Sequence, residues 1–200
     1  MAELVKATQS VSQRLFWVLS VALGVMLVPS GAYYAYWVAS GNLHEVEAGR
    51  YYRAGQLDSE MLDQVIKHYG IRSILNLRGE NRGSPWYDDE MATAAMNGIT
   101  HLDYHLSARQ RVSVPQLQAI LALLHNAPKP VLVHCLAGAD RTGLVTAVYH
   151  LSQGADPEMA AEALSLRYGH FPFLGSETRA MDDSFAAYVA ATTTLTPPTN

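Results

Sequence analysis

Short apolar runs and helical periodicities take turns along most of this chain. Three runs read as strands: IRSILNL over 71–77, a buried-strand pattern, ITHLDYH over 99–105, and PVLVH over 130–134, a short apolar one. A fourth run, YYRA over 51–54, reads as an edge strand. Between them lie helical patterns with their own start and stop signals. Asp58 can cap a helix that runs to Tyr69, where Gly70 stops it. Ser84-Pro85 starts a second that ends at Asn97-Gly98. Ser113 opens a third, with Leu117, Ile120, Leu121 and Leu124 on one face, and it closes before Pro128. Beyond Arg141 a fourth runs through Val145, Val148 and Leu151 to Gly154; Asp156-Pro157 begins a fifth, and Ser176 a last one through Tyr188. Strand and helix in turn predict an α/β domain with helices packed on a central sheet.

The pattern breaks at the N-terminus. No charged residue occurs from Leu15 to His44, and LFWVLSVALGVMLV followed by YYAYWVA is long enough for a bilayer core, which takes about 20 apolar residues. Tyr33, Tyr34, Tyr36 and Trp37 suit the membrane–water interface, while Pro29 and Gly31 weaken the helix without excluding it. Lys6 and Arg14 precede the run, and no Lys or Arg falls between Arg14 and Arg50. That asymmetry puts the N-terminus in the cytoplasm and the rest of the chain in an extracytoplasmic, periplasmic space. Ser30-Gly31-Ala32 keeps a cleaved signal peptide open, with the same final compartment. The expected division is a cytoplasmic N-terminus over 1–14, a transmembrane anchor or signal segment over 15–40, a polar linker over 41–50, a globular domain over 51–190 and a disordered tail over 191–200.

Composition adds two constraints. Cys135 is the single cysteine, so no intramolecular disulfide can form, and an unpaired thiol in an oxidising compartment is a liability unless it is used. The net charge of −4 comes without a basic run, so nucleic acid is not expected as a partner.

That cysteine lies where a strand hands over to a glycine-containing loop and a helix. His134-Cys135-Leu136-Ala137-Gly138-Ala139-Asp140-Arg141-Thr142-Gly143 therefore aims successive N–H groups and a positive helix end at one point, which binds an oxyanion and favours the nucleophilic thiolate. Arg141, six residues on, can bring its planar fork back to two phosphate oxygens. Thr142 can donate its hydroxyl to the cysteine sulfur.

The string HCLAGADRTG resembles the active-site loop of the protein tyrosine phosphatase superfamily. Upstream, Tyr52-Arg53-Ala54-Gly55-Gln56, Asn76-Leu77-Arg78 and Pro130-Val131-Leu132-Val133 are similar to its compact bacterial dual-specificity-like branch, so the likeness covers roughly residues 50 to 170. The resemblance implies a tyrosine-phosphatase-like α/β fold, with a central mixed, mainly parallel sheet flanked by helices. It also implies a phosphocysteine on Cys135, with Arg141 and the amides of Leu136, Ala137, Gly138, Ala139, Asp140 and Arg141 holding the phosphoryl oxygens, and His134 supporting the loop without acting as a base. No cofactor or metal is implied. The substrate it implies is a phosphorylated tyrosine, serine or threonine in a protein, or else a phospholipid or small phosphate ester. A non-catalytic phosphate reader is the minor alternative.

The general acid departs from the family pattern. In most relatives it is an aspartate on a separate loop about thirty residues before the cysteine, and Asp103 lies near that distance but inside a predicted strand. No Asp or Glu stands between Asp103 and Asp140, so Asp140, inside the loop itself, is the favoured alternative. Several other side chains carry two readings. Arg53 and Arg78 are expected to pin the flanks of the loop. Arg109 and Arg111 steer an anion or are solvated charges, and Trp86-Tyr87 cover the cleft or fill the core. His101 and His105 are read as strand residues near the mouth rather than metal ligands.

Overall fold

A computed structural model describes residues 2–193. The chain divides into two compact units, 1–40 and 41–200. In the first, Ala2–Ala39 form one helix, α1, with Pro29 inside it. Its stretch Gln13–Tyr33 is 21 residues long and uncharged except at Arg14. By length and composition it can cross a bilayer.

The second unit is a five-stranded sheet: β1 (His44–Glu47), β2 (Tyr51–Ala54), β3 (Ser73–Asn76), β4 (Thr100–Asp103) and β5 (Val131–His134). Their order is β1-β2-β5-β3-β4, with β1 antiparallel to β2 and the other pairings parallel. Period-two side chains divide the core between the two faces. Tyr51, Leu75, Val131 and Val133 face one apolar cluster with α4 (Val114–Asn126), α5 (Asp140–Ser152) and α7 (Arg179–Thr193). Tyr52, Ala54, Ile74 and Leu132 face the other with α2 (Ser59–Tyr69), and α3 (Pro85–Met96) packs beside it. A short helix α6 (Pro157–Ala161) and a 3-10 turn (Leu166–Tyr168) complete the unit.

The helix ends follow their signals. Asp58 accepts from Met61 N at 2.8 Å, and Gly70 closes α2 in the left-handed region at φ 64°. Other expectations are corrected. Residues 51–54 are an interior strand, buried throughout, because β1 covers their outer edge. The stretch over 41–50 is therefore not a linker. Its HEVE segment carries one apolar residue and gives no strand periodicity, yet it pairs with β2 through a bulge between Glu45 and Glu47. The last helix begins at Arg179, after turns at Ser176, and continues to Thr193. It takes in residues 191–193 of the expected tail; 194–200 lie outside the described residues.

Candidate active site

The parallel strands end level with one another. Ala54, His134, Asn76 and Asp103 are in register across β2, β5, β3 and β4, and Cys135 is the first residue beyond that line. Ligand sites of open parallel sheets form at this carboxyl edge. Cys135 is 1% exposed.

From His134 to Ala139, six consecutive carbonyls each accept from a donor outside the centre of the loop. His134 O accepts from Leu77 N at 2.9 Å, Cys135 O faces His134 Nδ1 at 3.2 Å, and Leu136 O accepts from Gln56 N at 3.0 Å. Ala137 O accepts from Asn42 Nδ2 at 2.9 Å, Gly138 O from Arg53 Nη2 at 2.8 Å, and Ala139 O from Gly143 N at 3.0 Å. A planar trans peptide sends its N–H opposite to its C=O, so carbonyls held outward turn the following amides inward. None of the N–H groups of Leu136 through Asp140 donates within the described residues. A ring of unused amides beneath a helix N-terminus is a cradle for a tetrahedral oxyanion.

Arg141 completes the rim. Its Nη1 approaches Leu106 O at 3.3 Å and Leu77 O at 3.5 Å, while its Nε is buried without an acceptor. The described residues contain three buried side-chain polar atoms without partners: Arg141 Nε, Thr142 Oγ1 and Arg53 Nε. All three belong to this loop or to the arginine that braces it. Such atoms are rare enough to call for a ligand or a functional state. The hydrogen bond expected from Thr142 to the cysteine sulfur is not formed.

Two supporting residues carry no motif. Asn42 is 1% exposed and donates to both Ala137 O and Tyr168 O, at 2.9 and 3.0 Å. Glu90, on α3, takes His101 Nε2 at 2.7 Å and His134 Nε2 at 3.1 Å on one oxygen, and Gln56 Nε2 at 2.6 Å on the other. Burial alone would raise its carboxyl. The hydrogen bonds from His101, His134 and Gln56, with the His134 charge, outweigh that and hold it far below the usual carboxylate range. Sequence reading missed it: a glutamate at helical spacing from Tyr87 and Thr93 is the signal that could have found it, once α3 is known to turn that face inward. His134 is thus fixed between Cys135 O and Glu90, with neither ring nitrogen free to act as a base.

The flanking arginines differ in task. Arg53, 1% exposed, spans Ala163 O (3.0 Å) and Gly138 O (2.8 Å) under the face of Tyr168 at 3.9 Å. Arg78 stacks on Trp86 at 3.4 Å and donates to Gln56 Oε1 at 3.0 Å. Burial, then the nearby Arg141 charge, lowers its pKa, so two guanidiniums share the mouth of the site. Tyr87 is buried, and His105 sets Nδ1 on Arg78 O at 2.9 Å. Arg109 and Arg111 pair with Glu177 and Asp183.

The two candidate acids sit in unlike surroundings. Asp103, at the end of β4, accepts from Asn76 Nδ2 at 2.8 Å on one oxygen and from Tyr87 OH at 2.7 Å on the other, with His101 Nδ1 at 3.5 Å. Both its oxygens serve the scaffold. Asp140 opens α5 and engages only Oδ1, with His170 Nδ1 at 2.7 Å. His170 is fully buried, and its Nε2 meets Asp182 Oδ2 at 3.0 Å. Beside it opens a cleft of about 730 Å³ lined mainly by apolar groups, among them Leu164, Leu166, Pro172 and Phe173, with Arg167 and Arg179 also on its wall.

The sequence model of the tyrosine phosphatase family matches residues 35–166. No curated protein matches the chain. Among solved structures it is similar to TpbA of P. aeruginosa, at 20% identity over 77% of this chain and 92% of that one, with a TM-score of 0.60. It is similar to the core catalytic domain of the PP-IP phosphatase SIW14 from S. cerevisiae, at 21% identity, 78% and 94% coverage and a TM-score of 0.59. PTPMT1, solved in complex with PI(5)P, aligns at 13% identity over 75% of this chain and 98% of its own, with a TM-score of 0.55. At these identities the likeness is one of fold.

Proposed function

The chain belongs to the tyrosine phosphatase family, and from that footing we propose that it hydrolyses phosphotyrosine, phosphoserine or phosphothreonine in proteins through a phosphocysteine on Cys135. The observation that carries this reading is the loop whose six carbonyls are tied outward, leaving a ring of amides around the position of a phosphoryl group. In the first half-reaction Sγ bonds to phosphorus as the ester P–O bond breaks. Asp140 gives a proton to the departing oxygen, while Arg141 and the loop amides hold the charge that spreads over the phosphoryl oxygens. In the second, a water oxygen bonds to phosphorus, its proton goes to Asp140, the S–P bond breaks, and Thr142 Oγ1 hydrogen-bonds the leaving sulfur. Asp140 is preferred over Asp103 because it keeps one oxygen unengaged.

A specific observation favours a second reading, a phospholipid substrate. The apolar cleft beside His170 with its two arginines suits an acyl chain next to a phosphate, and PTPMT1, of like fold, has been solved with PI(5)P. Under either reading we propose that the apolar helix spans the membrane with the N-terminus cytoplasmic and the catalytic unit extracytoplasmic, which its length and the positions of Lys6 and Arg14 support. The test is phosphate release by the detergent-solubilised full chain from a phosphotyrosine, phosphoserine and phosphothreonine peptide panel and from phosphoinositide vesicles. Vanadate inhibition and loss in Cys135→Ser are expected. Turnover that survives Cys135→Ser sinks the phosphocysteine, and turnover of vesicles alone replaces the protein substrate with the lipid.

A further inference from the structure

We propose that His170 is the positioning residue that supplies Asp140 with its proton, and that Asp182 holds His170 in the charged form that makes this possible. The proposal rests on the reading of Asp140 as general acid. Its basis is a linear array drawn from three separate elements: Asp140 at the start of α5, His170 in the segment after the 3-10 turn, and Asp182 on α7. Nδ1 lies 2.7 Å from Asp140 Oδ1 and Nε2 lies 3.0 Å from Asp182 Oδ2. Both partners are acceptors, so both contacts are hydrogen bonds only when the ring carries two protons. The imidazole is 0% exposed, and solvent cannot take the place of either partner.

Other charges line the cleft on which His170 borders: Arg167 from the 3-10 turn, and Arg179 and Asp183 from α7. Asp183 is paired with Arg111. Burial lowers the basicity of His170, but the hydrogen bonds and charges of Asp140 and Asp182 outweigh it and leave the pKa raised. The proton is therefore retained above the usual histidine range and lost only as pH rises through the elevated value.

The array also resolves a difficulty of a loop aspartate. A carboxylic acid as a class gives up its proton well below neutrality, whereas a general acid must hold one at working pH. Here the proton resides on His170. As the ester bond breaks, Nδ1–H passes to Asp140 Oδ1, and the carboxylic acid so formed turns and gives that same proton to the leaving oxygen. His170 becomes neutral, keeps its Nε2–H bond to Asp182, and Asp140 is a carboxylate again. When water attacks the phosphocysteine, the released proton returns through Asp140 to Nδ1. Each turnover leaves the array as it began.

The experiment compares aryl phosphates of graded leaving-group pKa on the full chain in detergent, across pH, for wild type, His170→Gln, Asp182→Asn, Asp140→Asn and Cys135→Ser. A dinitrophenolate needs no proton to leave and a phenolate does. His170→Gln is expected to lose about 10²-fold on phenyl phosphate and no more than about three-fold on the dinitrophenyl ester, the signature of a lost acid. Its optimum on phenyl phosphate moves to lower pH. Asp182 is 39% exposed as a side chain, so Asp182→Asn should fold even if His170→Gln does not, and should show the same leaving-group signature in weaker form. Equal losses on both esters with an unmoved pH optimum reduce His170 to a packing residue and overturn the proposal. If only the relay fails, Cys135→Ser is still dead. If turnover survives Cys135→Ser, or wild type hydrolyses neither ester, the underlying reading falls and the relay with it.

Discussion

Gly138 passes Ala54 so closely that a Cβ on the glycine would lie 2.7 Å from Ala54 O, with Gly55 N at 2.6 Å. Gly138 also sits at φ +72°, a left-handed conformation that only glycine adopts freely. The loop carrying Leu136 to Asp140 is thus pressed against the end of β2, where Gln56 N and Arg53 Nη2 hold its carbonyls.

The prediction from this contact is that Gly138→Ala displaces the cradle rather than unfolding the domain. A shift of about 1 Å at reacting groups costs on the order of 10² in rate, so kcat/KM on an aryl phosphate should fall at least that far, with vanadate inhibition weakened in step. Gly49 is the control, since it has φ +66° but a Cβ added there would meet nothing within 4 Å. Gly49→Ala meets only left-handed strain, about 1 kcal/mol, and should leave kcat/KM within two-fold of wild type. Equal losses in both variants would refute the contact as the cause.

Glu90 yields a prediction about stability. It is buried beneath His134 and held ionised by three hydrogen bonds, so Glu90→Ala strands two histidines and an amide and should cost about 3–5 kcal/mol in urea unfolding at pH 7. The sign with pH follows from its lowered pKa. A carboxylate of depressed pKa stabilises above its unfolded value, about 4.3, and loses that contribution as pH falls through the folded one. The gap between wild type and variant should therefore narrow below about pH 4.3. A gap that stays constant down to pH 3 would mean that Glu90 is not ionised in the native protein.

How much of this site the sequence carried depends on how local each signal was. The loop from His134 to Gly143 is contiguous, and each chemical role in it lies at a fixed spacing. The strands over 71–77 and 130–134 were legible because their centres, Ile74-Leu75 and Val131-Leu132-Val133, are buried on both faces and apolar at consecutive positions. Asn42 was not, since it reaches Ala137 from 95 residues away and lies in a stretch with no periodicity. Strand β1 stayed hidden for the same reason: an edge strand exposed on one side needs only Val46 as an apolar residue. Glu90 and His170 meet their partners 44 and 30 residues away, through a strand order that no local pattern specifies. Read alone, each is an ordinary polar residue. Asp103 is the converse case, a residue at family distance whose oxygens Asn76 and Tyr87 already engage.

For Asp103 the expected outcome is accordingly structural. Asp103→Asn keeps the bond to Asn76 through its carbonyl and leaves an amide facing Tyr87 OH, which can turn to accept it. The substitution should cost about 1–2 kcal/mol of stability and leave the leaving-group dependence of turnover unchanged. Asp140→Asn should lose about 10² to 10⁴ on phenyl phosphate. If Asp103→Asn shows the steeper leaving-group dependence and Asp140→Asn the shallower, the acid is Asp103 and the relay through His170 has no function.

The last prediction concerns the helix. Gln13–Tyr33 supplies 21 residues, enough for the roughly 30 Å hydrocarbon core, and Lys6 and Arg14 lie at its near end. An uncleaved anchor should keep the chain in the membrane pellet through an alkaline carbonate wash, and protease added to spheroplasts should remove the catalytic unit while intact cells protect it. A cleaved signal would instead give a shortened, soluble chain released on spheroplasting. Orientation is tested separately from insertion. Lys6→Glu with Arg14→Glu removes the positive flank, and the fraction of chains open to protease in spheroplasts should fall while membrane retention stays. Protection of the wild-type catalytic unit in spheroplasts would place the site in the cytoplasm and reverse the orientation drawn from these two charges.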